Sequence, residues 1–310
     1  MTDLTKGVLA IVATSTIWGL SPLYYKLLAH LPPLDILAHR TIWSLVLFAG
    51  VLAFQGRLGQ IRAVLGTRRS AGIVAVAALM ISVNWLLFIW AVQVGRTTET
   101  SLGYFIYPLV AVVMGRVLFA ERLARAQWLA VTLAAVAVAV LTLGQGAAPW
   151  VSLALALSFA MYGLIKKQLP AGPVVSVTAE VLLLAPFALV ALAVVGAVPG
   201  WRDLGLLMLS GPLTATPLIL FSYAARRVTM STVGLVQYLN PSLQFLCAVA
   251  IFAEPFGIWQ AIAFPVIWAA LALYSLSAWR REAAARRRSA SSSIEAALEK
   301  KPRIEASAKP

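Results

Sequence analysis

Apolar runs with few charges recur along the chain near positions 7–28, 35–54, 71–94, 98–118 and 123–143, and again near 149–167, 174–196, 203–224, 230–253 and 257–279. Each is about as long as the roughly 20 residues that a helix rising 1.5 Å per residue needs to cross about 30 Å of hydrocarbon. Charged residues collect in short clusters between the runs instead of decorating one face of each helix. The connections are too short to hold a separate soluble domain. The pattern predicts an all-α integral membrane protein with ten transmembrane helices in one domain over residues 1–279.

The ten runs divide into two sets of five. A shift of 133 positions aligns Phe119-Ala120-Glu121 with Phe252-Ala253-Glu254, Pro108 with Pro241, Gln127 with Gln260, Leu102 with Leu235 and Phe88 with Phe221, without a gap. Shared Leu or Ala carries little weight in apolar sequence, but Pro, Glu and Gln in the same order do. Two repeats are predicted, about 7–143 and 149–279. Five crossings is an odd number, so the second copy enters the membrane from the opposite side. Inverted repeats of this kind permit two related conformations, each open to one side of a site near the midplane.

Lys and Arg fix the expected orientation, because basic loops stay cytoplasmic. One alternating set of connections holds Arg57, Arg62, Arg68, Arg69, Arg122, Arg125, Lys166, Lys167, Arg226 and Arg227, besides Lys6; the other holds only Arg96 and Arg202. Both termini are therefore expected in the cytoplasm, with the chain in the inner (cytoplasmic) membrane. Composition agrees: 61% of residues are apolar and 12% charged, with mean hydropathy +0.88, against about half and a quarter in a soluble domain. The net charge of +14 would suit nucleic acid, yet much of it lies in the loops and in residues 280–310, which read as a disordered basic cytoplasmic tail. The lipid bilayer and a small-molecule substrate are the expected partners, with no nucleic acid. Oligomeric state has no signature in the sequence.

Polar groups inside hydrocarbon are costly, about 2.5 to 3.5 kcal/mol for a central charge, and each calls for a reason. Arg116, Lys166 and Lys167 lie near cytoplasmic helix ends, where long side chains reach the headgroups. Lys26, His39, Arg40 and Glu99 gather from three helices toward the outer half. Lys26 and Arg40 are candidates to meet an anionic group of a substrate, with Glu99 pairing one of them in an outer gate; a permanent structural ion pair is the alternative, and for His39 a structural role is favoured. Glu180 stands alone in the second half without a basic neighbour in sequence, which makes it a candidate proton carrier; capping is the alternative. Pro108 and Pro241 each remove a helical hydrogen bond at equivalent positions and look like paired hinges. Around them, Trp18, Asn84, Trp85, Tyr104, Tyr107, Gln237, Tyr238, Asn240 and Gln244 mix amides and aromatics suited to an amphipathic solute.

Catalysis finds no constellation. The sequence has two histidines, one cysteine, no HExxH and no GxxxxGK[ST], so no metal or cofactor is expected and the chain is not read as an enzyme. An enzyme acting on lipid-linked substrates would need clustered acids or a nucleophile with a base. A non-transporting receptor or scaffold would depend on the tail.

Specific strings carry a resemblance. His39-Arg40 with Trp43-Ser44, Asn84-Trp85-Leu86-Leu87-Phe88-Ile89-Trp90-Ala91-Val92, Glu99 with Ser101-Leu102-Gly103-Tyr104-Phe105-Ile106, Glu121-Arg122, Gln127-Trp128-Leu129-Ala130-Val131, Tyr162-Gly163-Leu164, Glu180-Val181 with Pro186, and Gln237-Tyr238 with Pro241 span nearly the whole chain. Together they resemble the RarD branch of the EamA-type drug/metabolite transporter superfamily. That resemblance implies ten helices in two inverted five-helix repeats and a secondary transporter that exports amino acids, metabolites or drugs. It implies no particular substrate-binding residues.

Overall fold

The computed structural model describes residues 2–119, 123–146, 148–166, 168–169, 171–194, 196, 199–277 and 279–280. The readings for Glu121, Arg122, Lys167 and most of the basic tail fall outside these residues. Among the described residues there are only helices and connections. They are α1 (Asp3–Leu27), α2 (Pro33–Phe54), α3 (Gly59–Leu65), α4 (Arg68–Gln93), α5 (Thr97–Phe119), α6 (Arg125–Gln145), α7 (Trp150–Lys166), α8 (Pro173–Val194), α9 (Trp201–Ala225), α10 (Met230–Gln237), α11 (Leu239–Leu246), a π-helical turn (Cys247–Ile251) and α12 (Ile258–Ser277). Nine segments among them are long and apolar enough to cross a membrane, with α10, α11 and the π turn forming one of the nine. The 17-residue α7 is a tenth, shorter apolar helix, about 26 Å long.

Helix boundaries repeat with the sequence offset. Arg68–Gln93 maps on Trp201–Ala225, Thr97–Phe119 on the segment beginning at Met230, and Arg125–Gln145 on Ile258–Ser277, all at 133. Upstream, α2 and α8 begin at Pro33 and Pro173, an offset of 140. The difference is the seven-residue α3, which lies between α2 and α4 and has no counterpart among the described residues between α8 and α9. The shared glutamine has a local cause: Gln127 Oε1 accepts from the Ala124 backbone N–H at 2.9 Å, and Gln260 Oε1 accepts from the Gly257 N–H at 3.1 Å. Each satisfies a donor just ahead of a helix start.

Packing crosses between the halves. The first helix of each half leaves its own set: α1 packs on α9, α10 and α11, while α7 packs on α4 and α5. Glycines permit two of these crossings. A Cβ at Gly19 would lie 2.9 Å from the Asn240 carbonyl oxygen, and one at Gly103 would lie 2.8 Å from that of Ser152. One aromatic and aliphatic core joins α1, α2, α4, α7, α8 and α9 around Tyr25, Phe48, Phe88 and Leu155, and a second joins α5, α6 and α12 around Phe105, Ala137 and Phe264. Many large apolar side chains, including Phe54, Leu143, Phe187 and Trp201, remain exposed on the outside, as lipid-facing helices require.

The helices that carry the two paired prolines differ in continuity. α5 runs unbroken through Pro108. Its counterpart breaks: Tyr238 is a turn residue between α10 and α11, its N–H tightens onto the Leu235 carbonyl at 3.3 Å, and Pro241 sits in the first turn of α11. Proline near a helix start loses nothing, because that N–H has no intrahelical partner there. The same helix then widens, with Phe252 N–H bonding the Cys247 carbonyl five residues back at 2.8 Å. Ala253 comes next in a left-handed conformation, φ 51°.

Candidate functional site

A partly open cavity of about 650 Å³ lies where the halves meet, lined from α1, α2, α4, α5, α7, α9, α10, α11 and α12. Trp18, Arg40, Asn84, Trp85, Tyr104, Tyr107, Gln237, Tyr238, Asn240, Gln244, Pro108 and Pro241 all face it. Gly234 and Leu235 of α10 and Tyr274 and Ser275 of α12 bring its wall to within about a turn of the helix ends that carry the basic loops. These two helices and Tyr162 of α7 thus place the cavity toward the basic end of the bundle.

Its polar groups divide into committed and free. Asn84 Nδ2 donates to the Leu155 carbonyl and to Ser158 Oγ, both at 3.0 Å, and Asn84 Oδ1 accepts from Tyr104 Oη at 3.0 Å. That amide holds α4, α5 and α7 together. Gln244 Nε2 donates to Asn240 Oδ1 at 2.8 Å, and Gln244 Oε1 accepts from Thr100 Oγ1 at 3.2 Å, which links α11 to α5. Rings continue the wall: Tyr25, Phe88, Tyr104, Phe159 and Tyr107 touch in sequence at centroid separations of 4.9 to 5.9 Å. Such tilted and edge contacts fix ring orientation.

Arg40 is 8% exposed. Its Nε donates to Thr214 Oγ1 at 3.0 Å and its Nη1 to Tyr25 Oη at 2.7 Å, and the guanidinium carbon lies 3.9 Å from the Trp85 ring centroid. No carboxylate among the described residues lies within ion-pair distance of it, so the alternative of a permanent structural ion pair fails for this residue.

Four other expectations change. Lys26 stays off the cavity, with Nζ 3.5 Å from the Gln93 carbonyl oxygen and 5.5 Å from the Phe252 ring, so the two cations do not converge. Glu99 pairs with neither Lys26 nor Arg40; Arg96, one turn earlier, reaches it at 2.6 Å, the shortest route between opposite charges on one helix end. Glu180 is not without a basic partner: Lys166 from α7 lies 2.9 Å from Oε1, and Tyr162 Oη donates to Oε2 at 2.9 Å. Lys166 accordingly turns inward instead of reaching for headgroups, and also donates to Tyr162 Oη at 2.8 Å. His39 is half-buried outside the cavity, within electrostatic reach of Asp35 a turn earlier.

Sequence reasoning missed Tyr25, Thr214, Phe159 and Tyr162 as wall residues, because only their packing partners reveal their faces. It also assigned no role to Glu254, which lies in the connection ahead of α12. Glu254 is 8% exposed and accepts from the Thr97 and Thr98 backbone N–H groups at 2.7 Å each and from Thr98 Oγ1 at 2.8 Å. A carboxylate from the second half thereby caps the first turn of α5 in the first half, where unpaired donors and the helix dipole favour negative charge. The signal was available in the repeat, since a glutamate retained at both copies marks a role beyond solubility.

Relatives match at the scale of the whole chain. The profile of the EamA-like transporter family covers residues 5–143. Protein RarD of Streptomyces exfoliatus is 44% identical over 270 residues, 85% of this chain and 86% of that protein. Protein RarD of Escherichia coli (strain K12) is 38% identical, covering 88% and 95%. The chain belongs to the RarD family of the drug/metabolite transporter superfamily. As a RarD-family protein it is a multi-pass membrane transporter of the EamA type. A further relative, called uncharacterized transporter YojE in Bacillus subtilis (strain 168), is 41% identical over 89% of this chain and 96% of that one. A crystal structure with a TM-score of 0.59 covers 88% of the chain and 98% of its own at 19% identity, a likeness of fold alone.

Proposed function

We propose that this chain carries small organic solutes out of the cytoplasm by alternating access, with the central cavity as the binding site and both termini in the cytoplasm. The observation that carries this reading is a cavity of about 650 Å³ at the junction of the two halves, walled by residues from each. Its size and its mixture of rings with a few polar groups suit a drug-sized amphipathic molecule.

Two duplicated halves, about 7–143 and 149–279, supply the moving parts. Repeated helix boundaries, reciprocal packing of α1 and α7, and a family profile that matches residues 5–143 all favour a five-helix unit used twice. Five crossings per unit make the copies inverted, so each half in turn adopts the shape of the other. The break at Tyr238 and Pro241 is one hinge, and Pro108, in the equivalent position of the unbroken α5, is the other. Export follows the resemblance to a superfamily with exporters.

The test compares metabolites accumulated by cells with and without the protein, then reconstitutes the purified chain with the solutes that differ. Saturable, protein-dependent flux in liposomes is the expected result. A normal metabolite profile and no flux for any candidate would overturn the carrier reading.

A further inference from the structure

We propose that the cavity selects solutes bearing one negative charge, held by Arg40 and Tyr25, and disfavours uncharged and zwitterionic analogues of the same shape; this deepens the carrier reading and rests on it. Among the described residues lining the cavity Arg40 is the sole charged side chain. A guanidinium has five N–H groups, and the two hydrogen bonds to Thr214 and Tyr25 use two of them. Three remain without a partner among the described residues. The Tyr25 hydroxyl accepts from Arg40 and donates to no described residue, so its proton also remains free.

A charge this buried with no counter-charge is unfavourable unless water or a ligand supplies one. The fork is also rigid. Trp85 stacks on it, and Thr214 is itself fixed by donating to the Ser210 carbonyl at 2.9 Å. A rigid, planar donor set beside an accessible volume is the arrangement that binds a carboxylate through paired N–H groups. The remaining wall supplies rings and amides for an aromatic or apolar body. An added ammonium group finds no carboxylate in that wall, because Glu180 is already bound to Lys166 and does not line the cavity. It would instead add a positive charge beside Arg40.

The test uses the full-length purified chain with three probe sets of one shape each: 3-phenylpropanoate, 3-phenylpropanamide and phenylalanine, and the corresponding indole and naphthyl series. Titration calorimetry should give tighter binding of the carboxylate than of its amide by about tenfold or more, the range of a hydrogen bond to a charged group. Phenylalanine and its homologues should bind no better than the amides. Arg40→Gln should abolish the preference, Arg40→Lys should keep part of it, and Tyr25→Phe should reduce it severalfold. Comparing probes on the unaltered chain needs no variant, so an unstable Arg40→Gln protein leaves the test intact. Equal affinity for acid and amide, or no binding by any of the carboxylates, overturns the proposal. Liposome flux separates it from the carrier reading: acid and amide moved alike would defeat anion selection alone, whereas carboxylate-selective binding without any flux would keep the site and defeat the carrier.

Discussion

Two buried carboxylates, Glu254 and Glu180, hold the two ends of this molecule by different means. Glu254 lies at the end opposite the basic loops and uses no cation: three neutral donors at the start of α5 hold it, two of them backbone N–H groups. Glu180 lies near the basic end, is 1% exposed, and is held by the Lys166 ammonium and the Tyr162 hydroxyl. A helix end supplies dipoles that travel with the helix, so the first contact can break or form as a unit when α5 moves. The second joins two side chains whose charges each become costly once separated. Under the alternating-access proposal the Glu254 contact would serve as a latch and the Glu180 contact as a fixed brace.

The largest effect should come from splitting the brace. Lys166→Met or Glu180→Gln leaves one buried partner unpaired and should cost about 3 to 5 kcal/mol in unfolding of the purified protein, while Lys166→Met with Glu180→Leu should recover most of the loss. Proton-to-solute stoichiometry in liposomes made with the double variant separates a brace from a proton carrier: an unchanged ratio leaves Glu180 a structural role, and a lost ratio gives it a coupling one.

Breaking the latch should cost less. Glu254→Ala frees two backbone N–H groups of α5 and should lower stability by about 1 to 3 kcal/mol, with faster maleimide labelling of a cysteine placed at Thr98 as the gap opens. A stability loss without faster labelling would make Glu254 a static cap. Thr98→Val removes only the side-chain donor and should cost about 0.5 to 1.5 kcal/mol in the same unfolding assay. The smallest effect is a gain. Ala253 holds a left-handed φ of 51° just before Glu254, so Ala253→Gly should relieve strain and raise stability by about 1 kcal/mol or less.

The spans were legible because each apolar run is bounded by charge, Gly or Pro, and lipid demands that pattern wherever the helix sits. Part of the lining was legible too: Arg40, Asn84, Trp85, Gln237 and Asn240 were picked out as polar or aromatic groups within the apolar runs, and the fold gathers them around one cavity. Partner identity was not. Glu180 and Lys166 lie on neighbouring helices whose rotation no sequence offset gives, and Lys26 was separated from Arg40 by facing the Phe252 ring instead of the cavity. The unequal helices around the paired prolines escaped for a related reason. Pro108 and Pro241 are equivalent in sequence, but only the second helix is interrupted nearby, at Tyr238, and no sequence offset carries that difference.

Alternating access requires the cavity to be reachable from both sides of the membrane in turn. Gln237, which lines it and makes no hydrogen bond to a described residue, can be replaced by cysteine in a Cys247→Ser background and labelled with an impermeant maleimide from either face of sealed vesicles. Labelling from both faces, shifted toward the Glu254 face by Glu254→Ala, is the predicted result; labelling confined to one face in both backgrounds would contradict it.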